Sequence, residues 1–79
     1  MGKGMHFPEY RKLGNDRAYY KIVDERNSIE LQVLGRKIIK YEFTAEKYPE
    51  ILRIQDMLNC DQGFEMSSES EFNHRLSGQ

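Results

Sequence analysis

Histidine, cysteine and closely spaced carboxylates are the residues that most often carry catalysis or bind metals, and this chain has few of them. Its 79 residues include two histidines, His6 and His74, near the two ends, and a single cysteine, Cys60. Zinc sites use spacings such as CxxC or HExxH, and neither occurs. A cysteine nucleophile needs a base to form its thiolate, and no base is near Cys60 in the sequence. We therefore expect no metal site, no catalytic residue and no enzymatic activity.

Nucleotide cofactors are held by glycine-rich loops, and the sequence has neither GxGxxG nor GxxxxGK[ST]. The carboxylates are spread along the chain in the manner of a solvated surface. The sequence therefore predicts no cofactor and implies no small-molecule ligand.

Charge and composition exclude several classes of protein. The chain has 12 basic and 13 acidic residues, a net charge of −1, which excludes a strongly basic, histone-like nucleic-acid protein. No run approaches the roughly 18 apolar residues that a membrane span requires, so we expect no membrane partner. One cysteine cannot form an internal disulfide, and the expected location is the cytoplasm.

The charges are divided unevenly between the two halves of the chain. Residues 1–43 carry nine basic and six acidic side chains, whereas residues 44–79 carry three basic and seven acidic ones. Opposite halves can attract a second copy of the chain or direct the basic half to an acidic partner. The alternative interpretation, which we favour, is that strands here use Lys while helices use Glu.

Three segments alternate apolar and polar residues with the period of a β-strand. They are Arg17–Val23, Ile29–Leu34 and Lys37–Phe43. We predict that they form a small three-stranded antiparallel meander with one buried face. The nine residues predicted on that face are Ala18, Tyr20, Ile22, Ile29, Leu31, Val33, Ile39, Tyr41 and Phe43.

Matching these faces predicts a strand register, because a slip of one residue turns a strand over. It places Tyr20 opposite Leu31 and Leu31 opposite Ile39. It excludes a two-residue turn at Gly35-Arg36 in favour of a three-residue loop that also includes Leu34. The other face would then carry a charge ladder across the three strands, composed of Lys21, Glu30 and Lys40.

The remaining segments complete a single α+β domain. Residues 6–13 are predicted as an extended lead-in, followed by a turn at 14–16. A main α-helix is predicted from Pro49 to about Asn59, packed on the meander through its apolar stripe.

The end of the chain is predicted as a short strand over 64–66 and a final helical segment through Leu76. Ser68 and Glu71 have the capping-box spacing for that helix. The expected domain covers 6–76, with loose ends at 1–5 and 77–79.

The absence of catalytic motifs leaves interaction as the expected function. We expect a small non-enzymatic protein-interaction module, bound to another protein or to itself, because sheet edges are natural pairing surfaces. The alternative is weak binding of single-stranded nucleic acid by the basic half, although Glu30 and Glu42 would share that face. The residues expected on the interaction surface are Tyr19, Lys21, Arg36, Lys37, Ile38 and Lys40. The alternative is that the lead-in or the C-terminal segment covers Tyr19, Val23 and Ile38.

Overall fold

The computed structural model describes residues 7–77 and is an α+β fold, as predicted, built from an antiparallel sheet and two helices. The predicted loose segment 1–5 and residues 78–79 lie outside this range, while Ser77 ends the last helix. The elements in chain order are β1 (Glu9–Leu13), β2 (Ala18–Ile22), β3 (Asn27–Leu34), β4 (Lys37–Thr44), α1 (Tyr48–Leu58), β5 (Phe64–Met66) and α2 (Glu69–Ser77).

The sheet has five strands in the order β4-β3-β2-β1-β5, rather than the three predicted. Strands β1 to β4 form a meander of successive hairpins. The predicted extended lead-in supplies β1, which lies between β2 and β5 and places Arg11 opposite Met66. Strands β4 and β5 are therefore the two edges of the sheet.

Two helices pack on opposite faces of this sheet, in place of one main helix on a single face. Ile54 and Met57 of α1 pack against the β2 residues Ala18, Tyr20 and Ile22. On the other face, Phe72 of α2 packs against Tyr19 and Leu31. Consecutive side chains of a strand point to opposite faces, so β2 is covered on both sides. Within residues 7–77 no helix has the length and apolar character needed to cross a membrane.

The predicted register of β2 against β3 is wrong by one residue. Tyr20 lies opposite Glu30, and Leu31 lies opposite Tyr19. This shift turns β3 over, so that its apolar side chains face α2 instead of α1. These side chains are Ile29, Leu31 and Val33. The assumption of one buried face fails because β2 is buried on both.

The predicted register of β3 against β4 is also wrong by one residue. Leu34 lies opposite Lys37, which makes Gly35-Arg36 the two-residue turn that the sequence analysis excluded. Gly35 has a φ of 64°, the left-handed conformation that glycine supplies at the first position of a tight hairpin turn.

The predicted charge ladder is absent as a consequence of these registers. Glu30 lies opposite Tyr20 on β2 and Tyr41 on β4, on the face that carries α1. Lys21 and Lys40 lie on the other face, where Leu31 is the partner of Lys40 and Ile29 is the partner of Lys21.

The other elements agree with the sequence analysis. Helix α1 has Pro49 in its first turn, and the Glu50 carboxylate accepts the backbone N–H groups of Glu46 and Lys47, which lowers the pKa of Glu50. Strand β5 has the bounds predicted. At the start of α2, the Ser68 hydroxyl accepts the N–H of Glu71 at 3.1 Å, as the capping-box spacing indicates.

Candidate functional site

Strand β4 is the long free edge of the sheet. It has eight residues, whereas the opposite edge, β5, has three. Strand β3 pairs with one side of β4, and in the part of the chain that the structure describes no strand pairs with the other side. An unpaired strand presents a row of backbone donors and acceptors to which an extended chain can bind.

The hydrogen bond from the Val33 N–H to the Arg17 carbonyl, at 2.9 Å, shows which backbone groups of β4 are free. The backbone N–H and C=O groups of the odd-numbered β3 residues therefore point toward β2, and those of the even-numbered residues point toward β4. Their partners, at positions 37, 39, 41 and 43, therefore bond inward. The N–H and C=O groups of Ile38, Lys40, Glu42 and Thr44 consequently point out from the edge.

The side chains of β4 divide into an apolar and a charged set. Ile39, Tyr41 and Phe43 lie on the α1 face, where Tyr41 is 47% exposed. Lys40 and Glu42 lie exposed on the α2 face. Both helices cover the centre of the sheet and leave much of β4 uncovered, so its side chains are accessible along with its backbone.

Five of the six residues expected on the interaction surface are accessible, and one is not. Tyr19 is 1% exposed, because Phe72 covers it and the Arg75 guanidinium carbon lies 5.3 Å from its ring centroid. Its ring cannot stack on a base in this structure. The exposed members are Arg36, Lys37 and Lys40, and the partly buried ones are Lys21 and Ile38.

A polar network lines a pocket of about 550 Å³ on the α1 face. The amide of Gln32 donates to the Glu30 carboxylate at 3.0 Å, and Arg53 donates to the Tyr20 hydroxyl at 3.3 Å. The Arg53 guanidinium is also 3.8 Å from the Glu30 carboxylate. These contacts join α1 to β2 and β3.

The contacts of this network stabilise the fold, and they do not provide a general base. Burial raises the pKa of the Tyr20 hydroxyl and the Glu30 carboxylate raises it further, so this group keeps its proton at neutral pH and is not a base. The Glu30 carboxylate already accepts a hydrogen bond from Gln32 and lies close to Arg53. Sequence reasoning missed this network because the wrong register placed Glu30 on the other face; the Gly35-Arg36 dipeptide, read as a two-residue turn, was the signal for the correct one.

Within the described residues, His74 and Cys60 do not join a site. His74 lies exposed on α2, and Cys60 lies exposed just beyond the end of α1. Among residues 7–77 there is no group of three or more His, Cys, Asp or Glu side chains placed to hold a metal ion.

The β4 edge is therefore the feature of the described chain with the clearest capacity to bind another molecule. Neither a scan of protein-family models nor searches of curated proteins and of solved structures gives a significant match to this chain.

Proposed function

We propose that this protein is a small, non-enzymatic interaction module that binds an extended segment of a protein chain along β4. The observation that carries the proposal is the eight-residue edge strand, with four residues whose backbone groups point outward. Strand addition satisfies these groups with main-chain hydrogen bonds and reads the bound segment through its alternate side chains.

The side chains of β4 support this function on both faces. Tyr41 offers a half-exposed aromatic ring to an apolar or aromatic residue of the bound strand. Lys40 and Glu42 offer two opposite charges on the other face. Lysines on an edge also oppose uncontrolled pairing, because a strand that cannot accommodate their charge is rejected. The edge is therefore selective.

Lys40→Pro tests the proposal, since proline removes an outward N–H from the edge. Lys40→Ala is the matched control, because it removes the same charge and keeps the amide. Each full-length protein carries an affinity tag, and captured proteins are identified by mass spectrometry. We expect proteins held by the wild type and by Lys40→Ala to be lost with Lys40→Pro. Capture that is unchanged by proline would overturn the proposal.

Amide hydrogen exchange on the wild-type chain gives a second measurement that does not depend on the folding of the proline variant. Adding a captured protein should slow exchange at Ile38, Lys40 and Glu42. Protection confined to other residues would contradict binding at the edge. A salt-sensitive oligonucleotide shift that disappears on changing Arg36 and Lys37 to Glu would instead support nucleic-acid binding.

A further inference from the structure

We infer that the β4 edge pairs with β4 of a second copy of this chain, antiparallel about a two-fold axis, with Tyr41 facing its own counterpart. This inference rests on the proposed function and names its partner. It joins two five-stranded sheets into one continuous sheet.

The alternation of backbone groups along each strand restricts the registers that two such edges can adopt. Residues whose N–H and C=O groups point outward must lie opposite each other, so the allowed registers differ by steps of two residues. When Tyr41 faces Tyr41, each Lys40 lies opposite Glu42 of the second copy, and each Ile38 lies opposite Thr44. The four pairs thus formed each exchange backbone hydrogen bonds across the interface.

The charges on the α2 face select this register. It contains two Lys40–Glu42 pairs, one on each side of the axis. Moving the strands by one step in one direction places Lys40 opposite Lys40, and moving them in the other direction places Glu42 opposite Glu42. Opposite charges that face each other across strands are favourable, and like charges are unfavourable.

The apolar side chains on the α1 face also form favourable pairs in this register. Tyr41 pairs with Tyr41, and Ile39 pairs with Phe43 of the second copy twice. Pairs of aromatic residues, and of aromatic with β-branched residues, are among the favourable cross-strand pairs. Pairing also covers the half-exposed ring of Tyr41.

Contacts within one chain do not account for the charges of β4. Lys40 lies opposite Leu31, and Glu42 lies opposite Ile29. Among the ion pairs of residues 7–77, none includes Lys40 or Glu42. A second copy gives each of these side chains a partner of opposite sign.

Charge reversal tests the inference by sedimentation equilibrium, over protein concentrations from about 1 μM to about 1 mM. We expect the wild type to dimerise, and Lys40→Glu and Glu42→Lys each to weaken dimerisation about tenfold or more, because each places like charges together twice. An equimolar mixture of the two variants should dimerise again. One chain then carries two carboxylates on that face and the other carries two ammonium groups.

The controls separate this effect from changes in net charge or folding. Arg17→Glu and Asp61→Lys make the same charge changes at exposed positions off β4, and both should dimerise like the wild type. The double variant Lys40→Glu/Glu42→Lys should also recover dimerisation. Far-ultraviolet circular dichroism checks that each variant is folded.

A wild type that stays monomeric, or single variants that dimerise as well as it does, would overturn pairing with a second copy. If Lys40→Pro still abolished capture of another protein in that case, the proposed function would stand with a different partner. If the proline variant neither lost captured proteins nor reduced dimerisation, both proposals would fail.

Discussion

Arg11 is a buried charged residue that holds the first strand to the end of a helix. It is 4% exposed, and its guanidinium donates to the backbone carbonyls of Met57, at 2.9 Å, and Leu58, at 3.0 Å. These carbonyls lie in the last turn of α1, where intrahelical donors are missing and the helix dipole favours a cation. The Glu9 carboxylate lies 3.1 Å from the same guanidinium.

Replacing Arg11 with Met should lower the free energy of unfolding by about 2 kcal/mol, because the Leu58 carbonyl loses its side-chain donor and the Met57 carbonyl keeps only the Cys60 N–H. Arg17→Met is the matched control on an exposed arginine and should change stability by less than about 0.5 kcal/mol. Urea unfolding of the three proteins measures both effects. Equal stability of the two variants would show that the Arg11 contacts contribute little.

Tyr20 makes stability depend on alkaline pH. Its pKa lies above the ordinary value of about 10, chiefly because of burial and also because of the Glu30 carboxylate. The folded chain therefore keeps a proton that the unfolded chain loses. The resulting contribution is fully present below about pH 10 and is lost as the pH rises through the folded pKa.

Tyr20→Phe should accordingly remove part of the alkaline loss of stability. We expect the wild type to be more stable than the variant at about pH 8, and this advantage to shrink at about pH 11. Urea unfolding at the two pH values gives the comparison. A wild-type advantage that did not change with pH would contradict the assignment of the raised pKa to Tyr20.

At the scale of elements, the end of α1 is closed by two backbone hydrogen bonds around a left-handed residue. The N–H of Cys60 donates to the Met57 carbonyl at 3.1 Å, and that of Asp61 donates to the Asp56 carbonyl at 2.8 Å. Cys60 has a φ of 59°. This arrangement is a Schellman motif, in which the left-handed position is most often glycine. Cys60 therefore occupies a position whose backbone conformation favours glycine.

Cys60→Gly should therefore stabilise the protein by about 1 kcal/mol, since the cysteine is strained where glycine is not. Gly35→Ala is the opposite test. Its φ is 64° and an added Cβ would meet nothing within 4 Å, so a loss of about 1 kcal/mol would reflect backbone conformation alone. Thermal or urea unfolding should give changes of opposite sign for the two substitutions. Stability changes of the same sign would contradict the assignment of both effects to the left-handed backbone conformation.

Most helices and strands were predictable from the sequence, but the helix against which each strand face packs was not. The helix after Pro49 and the strand at Phe64–Met66 follow from local signals that the structure confirms. The register failed because alternation in β3 shows which residues share a face without showing which helix covers it. Strand β1 was predicted only as extended chain, since its pairing with β5 depends on residues far along the sequence.

The interaction surface was predictable only in part for the same reason. The cationic tip at Arg36 and Lys37 is exposed, as expected from the sequence. Tyr19 is buried because α2 folds back over the sheet, a tertiary contact with no local signal. The edge position of β4 followed from the meander pattern, and the outward direction of Lys40 required the register that the structure provides.

At the scale of the whole molecule, two apolar clusters share the central strand. The cluster under α1 includes Ile54, which is 1% exposed, and the cluster under α2 includes Phe72, which is 2% exposed. Tyr19 and Tyr20 connect the two, because adjacent positions of β2 belong to opposite clusters. Neither cluster can be lost without exposing the strand on which the other is built.

We therefore expect Ile54→Ala and Phe72→Ala each to lower the free energy of unfolding by about 3 kcal/mol, and each protein to unfold in a single transition. Leu76→Ala, on the exposed side of α2, is the control and should cost less than about 1 kcal/mol. Far-ultraviolet dichroism and tyrosine fluorescence should give the same midpoint for each protein. Separate midpoints would show that the clusters unfold independently.

The pairing of β1 with β5 has a consequence for the order in which the chain can fold during synthesis. The four hairpin-connected strands end at Thr44, so their contacts form between neighbouring segments and close only short loops. Arg11, by contrast, pairs with Met66, a residue that lies beyond both β4 and α1 in the sequence. While the C-terminal segment is still in the ribosome, β1 is therefore an open edge on the nascent meander, and the late arrival of β5 withdraws it from contact with other chains.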